Sequence, residues 1–172
     1  MSTIELPAAS HSAEAFDLDR QRDLTNRAIA RQSFCTLATT STELRPHVAG
    51  MRYVRIGNAF YITMHDDSVK ARNIGQNPRV AICIPVKKFP FVPPYAIQFQ
   101  GMAELLLRTD PRIVDLFEAG RLKGIISAKD FADPGACFAR IEPGKRVTTY
   151  GIGLSLLQIA RDPSSAVRSF AW

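Results

Sequence analysis

Apolar and β-favouring residues gather in short runs along most of this chain, and a helical rhythm appears in only a few places. Over Phe16 to Arg31 the apolar positions Phe16, Leu18, Leu24, Ala28 and Ile29 recur at helical intervals among charges, which predicts an amphipathic helix. From Ser33 onward the period shortens. β-Branched and aromatic residues cluster between turn signals over residues 33–40, 46–55 and 59–63, so three strands are predicted there. Gly57-Asn58 suits the tight turn between the second and third. Val and Ile crowd residues 79–86, a fourth strand. Residues 95–107 form a long fifth, in which Gly101 marks a bulge or a close backbone approach. The sixth lies within residues 137–150, interrupted by a turn at Pro143-Gly144. Thr109-Asp110-Pro111 opens a helix that Gly120 ends, because a capping side chain followed by proline starts a helix and glycine stops one. Residues 121–135 carry no regular pattern.

Six strands joined mostly by hairpins, with short helices at their ends, define a mainly β chain folded as a small antiparallel barrel. Residues 1–15, small and polar, read as a flexible N-terminal arm; residues 16–150 read as one domain and 151–172 as a C-terminal extension. That extension has a short apolar helical stretch at Leu154, Leu156, Leu157 and Ile159, suited to covering a partner subunit, a pocket or the chain's own barrel. It ends in Phe170-Ala171-Trp172, aromatics expected to dock on the barrel or on a partner.

The run from Ser68 to Val80 carries the most chemistry. Ser68 can cap a helix, and Asn77-Pro78 ends it because the residue before proline avoids the helical region. Such a helix start exposes backbone amides with partial positive charge, and Lys70 and Arg72 add cations beside them, which together make a phosphate seat. The alternative is a solvated surface face. Over 172 residues the net charge is +6, so the surface attracts anions without choosing among them. Nucleic acid is disfavoured, since aromatics alternate with cations only near Arg52-Tyr53 and Lys88-Phe89. Cys35, Cys83 and Cys137 are widely spaced and match no metal pattern, so they read as buried free thiols, and no metal site is expected. Residues 1–12 lack the profile of a secretory signal, and no window supplies the roughly 18 apolar residues of a membrane span, so a cytoplasmic location without membrane contact is expected.

Five pieces in register, Thr36-Leu37-Ala38-Thr39-Thr40, Arg45-Pro46-His47-Val48, Phe60-Tyr61-Ile62-Thr63, Ser68-Val69-Lys70-Ala71-Arg72-Asn73 with Asn77-Pro78-Arg79-Val80, and Phe99-Gln100-Gly101-Met102-Ala103-Glu104, resemble the flavin-binding split β-barrel family. That is the family of pyridoxamine 5′-phosphate oxidase and of the flavin- or deazaflavin-dependent reductases. The resemblance covers about residues 16 to 150. It implies an FMN-binding-like split barrel forming a homodimer, with cofactors at the subunit interface. Carried over, it sets Ser68 and Lys70 on the cofactor phosphate with Arg72 and Asn73 beside them. Tyr61, Ile62 and Thr63 would line the approach, and the strand with Gly50, Met51, Arg52 and Tyr53 would lie along the ring. Arg45 and His47 complete the expected cofactor-binding set. The oxidase's arginine-led strand ending in lysine is absent here, where the strand reads Val48-Ala49-Gly50-Met51-Arg52-Tyr53.

The deazaflavin branch is therefore the nearer resemblance. Its coenzyme F-420 carries a phosphodiester and a polyanionic tail that the cations suit. This implies an oxidoreductase transferring hydride to or from a small organic substrate, with the cofactor doing the electronic work. FMN in an oxidase-like protein, or a non-catalytic flavin- or haem-binding protein, are the alternatives. No nucleophile–base pair appears. His47 and Tyr61 are the candidates for the catalytic proton, and the substrate itself has no signature in the sequence.

Overall fold

A computed structural model of the chain describes residues 17–86 and 95–172. Phe16, the expected arm at residues 1–15 and the loop at 87–94 lie outside the described residues. Helix α1 (Leu18–Ala30) is capped by Asp17, whose side chain accepts from Arg20 N at 2.9 Å, and it buries Gln21, Thr25 and Ile29. It crosses one end of a single antiparallel sheet. That sheet contains β1 (Phe34–Thr40), β2 (Pro46–Arg52), β3 (Val54–Ile56), β4 (Ala59–His65), β5 (Arg79–Val86), β6 (Tyr95–Leu107), β7 (Ala136–Tyr150) and β8 (Val167–Ala171). Between strands lie α2 (Val69–Gln76), α3 (Pro111–Glu118), α4 (Ala128–Phe131) and α5 (Leu156–Arg161).

Strand order shows why the sheet curls. It runs β2-β1-β5-β6-β7-β4-β3, so β2 and β3 form opposite edges, yet Tyr53 alone separates them in the chain. Two edges joined by one residue must meet, and the sheet rolls into a split β-barrel with few, short helices.

Alternation along each strand then sorts side chains into two layers. Phe60, Ile62 and Met64 of β4 point inward with Leu37, Ile84, Ile97, Ile141 and Val147 to fill the barrel. Ala59 and Tyr61 point outward with Phe138 and Leu106, under Ile113 and Leu122 from the segment containing α3 and α4. Each fully buried side chain of this kind stabilises the fold by about 1.5–3 kcal/mol.

Eight strands replace the six that the pattern predicts. The run 46–55 is broken at Tyr53, whose N–H leaves the ladder to donate to Ser33 O at 3.0 Å and whose hydroxyl donates to Ile29 O at 2.8 Å inside the core. At the other end, Val167–Ala171 pairs with the second half of β7, beside which β4 no longer reaches. Pro143-Gly144 does not interrupt β7. The extra residues 144–146 bulge opposite the single Gln100, between the pairs Phe99↔Val147 and Gly101↔Pro143. The close approach expected at Gly101 is present, since a Cβ there would stand 2.6 Å from Glu142 O. Cys35 and Cys137 are buried, Cys83 is half-buried, and all three are free. Among the described residues, no helix is long and apolar enough to cross a membrane.

Candidate functional site

Strand β4 ends in the turn His65-Asp66-Asp67, which launches α2. His65 Nδ1 lies 2.7 Å from Asp67 Oδ1 and 3.2 Å from Asp66 Oδ1, and the bond to Asp67, with the neighbouring carboxylates, raises the imidazole above its ordinary range. Gly135 makes room for that ring, because a Cβ there would meet His65 Nε2 at 2.1 Å. Ser68 Oγ accepts from Ala71 N at 3.3 Å and so caps the helix as predicted, while Arg72 Nη1 donates back to Asp67 O. Asn73 Nδ2 donates to Thr39 Oγ1 at 3.1 Å in the interior, which pins α2 to β1. The helix is thus held rigidly with its first turn toward solvent. Its opening amides, those of Val69 and Lys70, have no intrahelical acceptor.

Lys70 is half-buried and forms no ion pair among the described residues. Burial pushes the Cys137 thiol up to about 11, Asp66 adds to the rise, and the Lys70 ammonium opposes it. Thr63 Oγ1 donates weakly to Cys137 O at 3.5 Å. Thr63, on the outer face of β4, and Lys70, in the first turn of α2, thus stand on either side of the His65-Asp66-Asp67 turn.

Strand β2 presents the other half of the expected set. None of its residues is buried: Pro46, Val48, Gly50 and Arg52 are exposed, while His47, Ala49 and Met51 are half-buried. Val48 is 62% exposed. Gly50 is bare because the Phe34 ring crosses it; a Cβ would lie 2.8 Å from Phe34 Cζ. Arg45, at the head of the strand, pairs with Glu43 at 2.9 Å in solvent. The outer faces of β2, β1, β5 and β6 border a cavity of about 610 Å3 with mostly small walls, among them Ala38, Val48, Ala81, Cys83 and Gln98.

The side chains of Tyr53, Ile62 and Asn73, three of the expected cofactor contacts, lie in the core, which leaves their backbone for such a contact. The cause is strand alternation for Ile62, the broken ladder for Tyr53 and the tie to Thr39 for Asn73. Tyr61 is buried in the outer layer, opposite Arg140 across the β4–β7 ladder. Arg140, Lys145 and Trp172, which border a second cavity with Tyr61, were not legible as a group, because only long-range pairing brings them together.

The whole is a split antiparallel barrel with an open helix start after β4 and an unburied edge strand, β2. The model of the family described as pyridoxamine 5′-phosphate oxidase matches residues 22–144, and the chain belongs to that family. No curated protein matches it. Among solved structures, the chain is similar to the haem storage protein HutZ of Vibrio cholerae, at 17% identity and a TM-score of 0.65 over 79% of this chain and 96% of that one. A haem-binding protein from Mycobacterium smegmatis gives 20% identity and a TM-score of 0.68 over 88% of this chain and 57% of its own. An F-420 reductase gives 23% and 0.52 over 69% of this chain and 92% of its own. At these identities the likeness speaks for the fold.

Proposed function

We propose that the chain is an oxidoreductase that binds a flavin-type cofactor, with the deazaflavin coenzyme F-420 favoured over FMN, and works as a cytoplasmic homodimer on a small organic substrate. One observation carries this reading: Lys70, a half-buried cation without a carboxylate partner among the described residues, lies in the open first turn of α2. An uncompensated cation and free amides favour a bound phosphate. In this reading Lys70 and the α2 amides hold the phosphate, Ser68 shapes the turn as cap, and Arg72 and Asn73 keep the helix in place. The β2 backbone around Gly50 and Met51 supports the ring, and a second subunit laid over β2 excludes water from it. Exposed Arg52 and Arg79, with the net charge of +6, suit the longer anionic tail of F-420. When bound, the cofactor supplies hydride transfer, and the protein contributes position and a dry pocket. His47, half-buried on β2, is the better placed proton carrier of the two candidates, since Tyr61 is buried in the outer layer.

Haem is the second reading. His47 gives it a potential axial ligand, and two similar structures are haem proteins by name. Titration of the purified protein with F-420, FMN and haemin, followed by cofactor fluorescence and absorbance, separates these. Saturable quenching of a flavin-type cofactor in the micromolar range is expected. Binding of neither flavin overturns the reading, and a Soret shift lost on His47→Ala establishes the haem alternative.

A further inference from the structure

Strand β4 has a second site at its other end. A cleft of about 810 Å3 opens where α1, the β3–β4 turn, the β7 bulge and the last residues of the chain converge. Arg55, Tyr61, Arg140, Lys145 and Trp172 line it, whereas Ser68, Lys70, Arg72 and all of β2 lie outside it. Its volume is in the range of small-molecule pockets.

Two groups in this cleft lack what their surroundings require. Arg55 is half-buried, its guanidinium centred 5.7 Å from the Phe60 ring and 5.6 Å from the Trp172 ring. Its Nε donates to Gly57 O at 3.2 Å and its Nη1 to Asn26 Oδ1 at 2.7 Å, both neutral acceptors. No carboxylate pairs with it among the described residues, and burial pulls its pKa down. Glu142, the one carboxylate side chain in the lining, stands 2.8 Å from Arg140 and is taken by that guanidinium. Trp172 Nε1 is buried with no acceptor among the described residues. A half-buried charge without a counter-ion is costly; Trp172 Nε1 is sealed from the cleft, so an oxyanion there answers Arg55.

We propose that this cleft binds a small organic oxyanion, a carboxylate or phosphate on an apolar body. Arg55 and Lys145 face the charge, and the Trp172 and Tyr61 rings flank the body. The proposal stands apart from the cofactor reading, whose residues share only Tyr61 with this lining.

Trp172 is the only tryptophan of the chain, so its emission reports on the cleft directly. The full-length protein is titrated with phenyl phosphate, benzoate and inorganic phosphate. A saturable change in Trp172 emission is expected with at least one organic probe, the tighter arm distinguishing phosphate from carboxylate. Arg55→Gln should weaken it by about tenfold or more, as loss of a charged hydrogen bond does. Lys145 is exposed, so Lys145→Gln leaves the fold intact and should weaken binding by roughly threefold. The Trp172 response to these probes should be unchanged in Lys70→Ala. No saturable change with any probe overturns the proposal, as do unchanged affinities in Lys145→Gln and Arg55→Gln. Inorganic phosphate binding as tightly as the organic probes overturns the assignment to an organic ligand.

Discussion

Strands β4 and β2 both carry residues of the expected cofactor set, yet they are opposite kinds of strand. β4 is buried on both faces from Ala59 to Ile62, whereas β2 buries none of its seven residues. The first is structural spine: Phe60 and Ile62 hold the barrel together and Tyr61 anchors the outer layer. The second is surface left open, with an apolar Val48 and a bare Gly50 facing outward on the edge of the sheet. An exposed edge with such residues invites pairing or a ligand. In the proposed reading, rigid support thus sits on one side of the cofactor and receptive surface on the other, with the phosphate held where β4 ends and α2 begins.

Truncation on each strand should make that difference plain. Phe60→Ala is expected to destabilise the protein by about 3–5 kcal/mol in chemical denaturation, while Val48→Ala should stay within about 0.5 kcal/mol. Comparable losses at both would erase the distinction. Next in size is Asn73→Ala, which leaves the buried Thr39 hydroxyl without its donor; a loss of about 1–3 kcal/mol is expected, together with looser protection of α2 amides in hydrogen exchange. Val48→Asp should leave thermal unfolding of the barrel nearly unchanged but shift the sedimentation coefficient to that of a monomer, if β2 is the surface a second copy covers. A dimer that survives this change places the interface elsewhere.

The smallest effect is in the turn between β4 and α2. Asp67 raises the His65 pKa, so folded His65 keeps its proton to higher pH than the unfolded chain does. Its contribution to stability is therefore complete below about pH 6.5 and disappears as pH rises through the folded value. A proton NMR titration should find the His65 midpoint above the ordinary range, and Asp67→Asn should lower it.

Much of this was legible in the chain. The strands at residues 33–40, 79–86 and 95–107 follow from β-branched runs between turn residues, and Ser68 and Asp110 act as the caps their chemistry predicts. What escaped depends on distant partners. Nothing local says that Tyr53 leaves the ladder for Ile29, because its apolar neighbours continue the strand pattern. The short alternation Val167-Arg168-Ser169-Phe170-Ala171 becomes β8 only because the end of β7 offers it an edge. At the candidate site, Ser68, Lys70 and Arg72 were readable from spacing, whereas the burial of Asn73 and Ile62 depends on which face of the barrel each strand turns inward. The cleft of Arg55 and Trp172 had no signal at all, since its walls come from α1, three strands and the chain's last residues.

The proposed function rests on Lys70, at the start of α2, holding a cofactor phosphate. It is tested most directly by measuring dissociation constants for FMN against riboflavin, and for F-420 against its deazaflavin lacking the phosphate, in the parent and in Lys70→Ala. The parent is expected to prefer the phosphorylated form of its cofactor by about tenfold or more, and Lys70→Ala to lose most of that preference while unfolding at the same temperature. A preference for the phosphorylated form that is equal in both proteins would contradict the account.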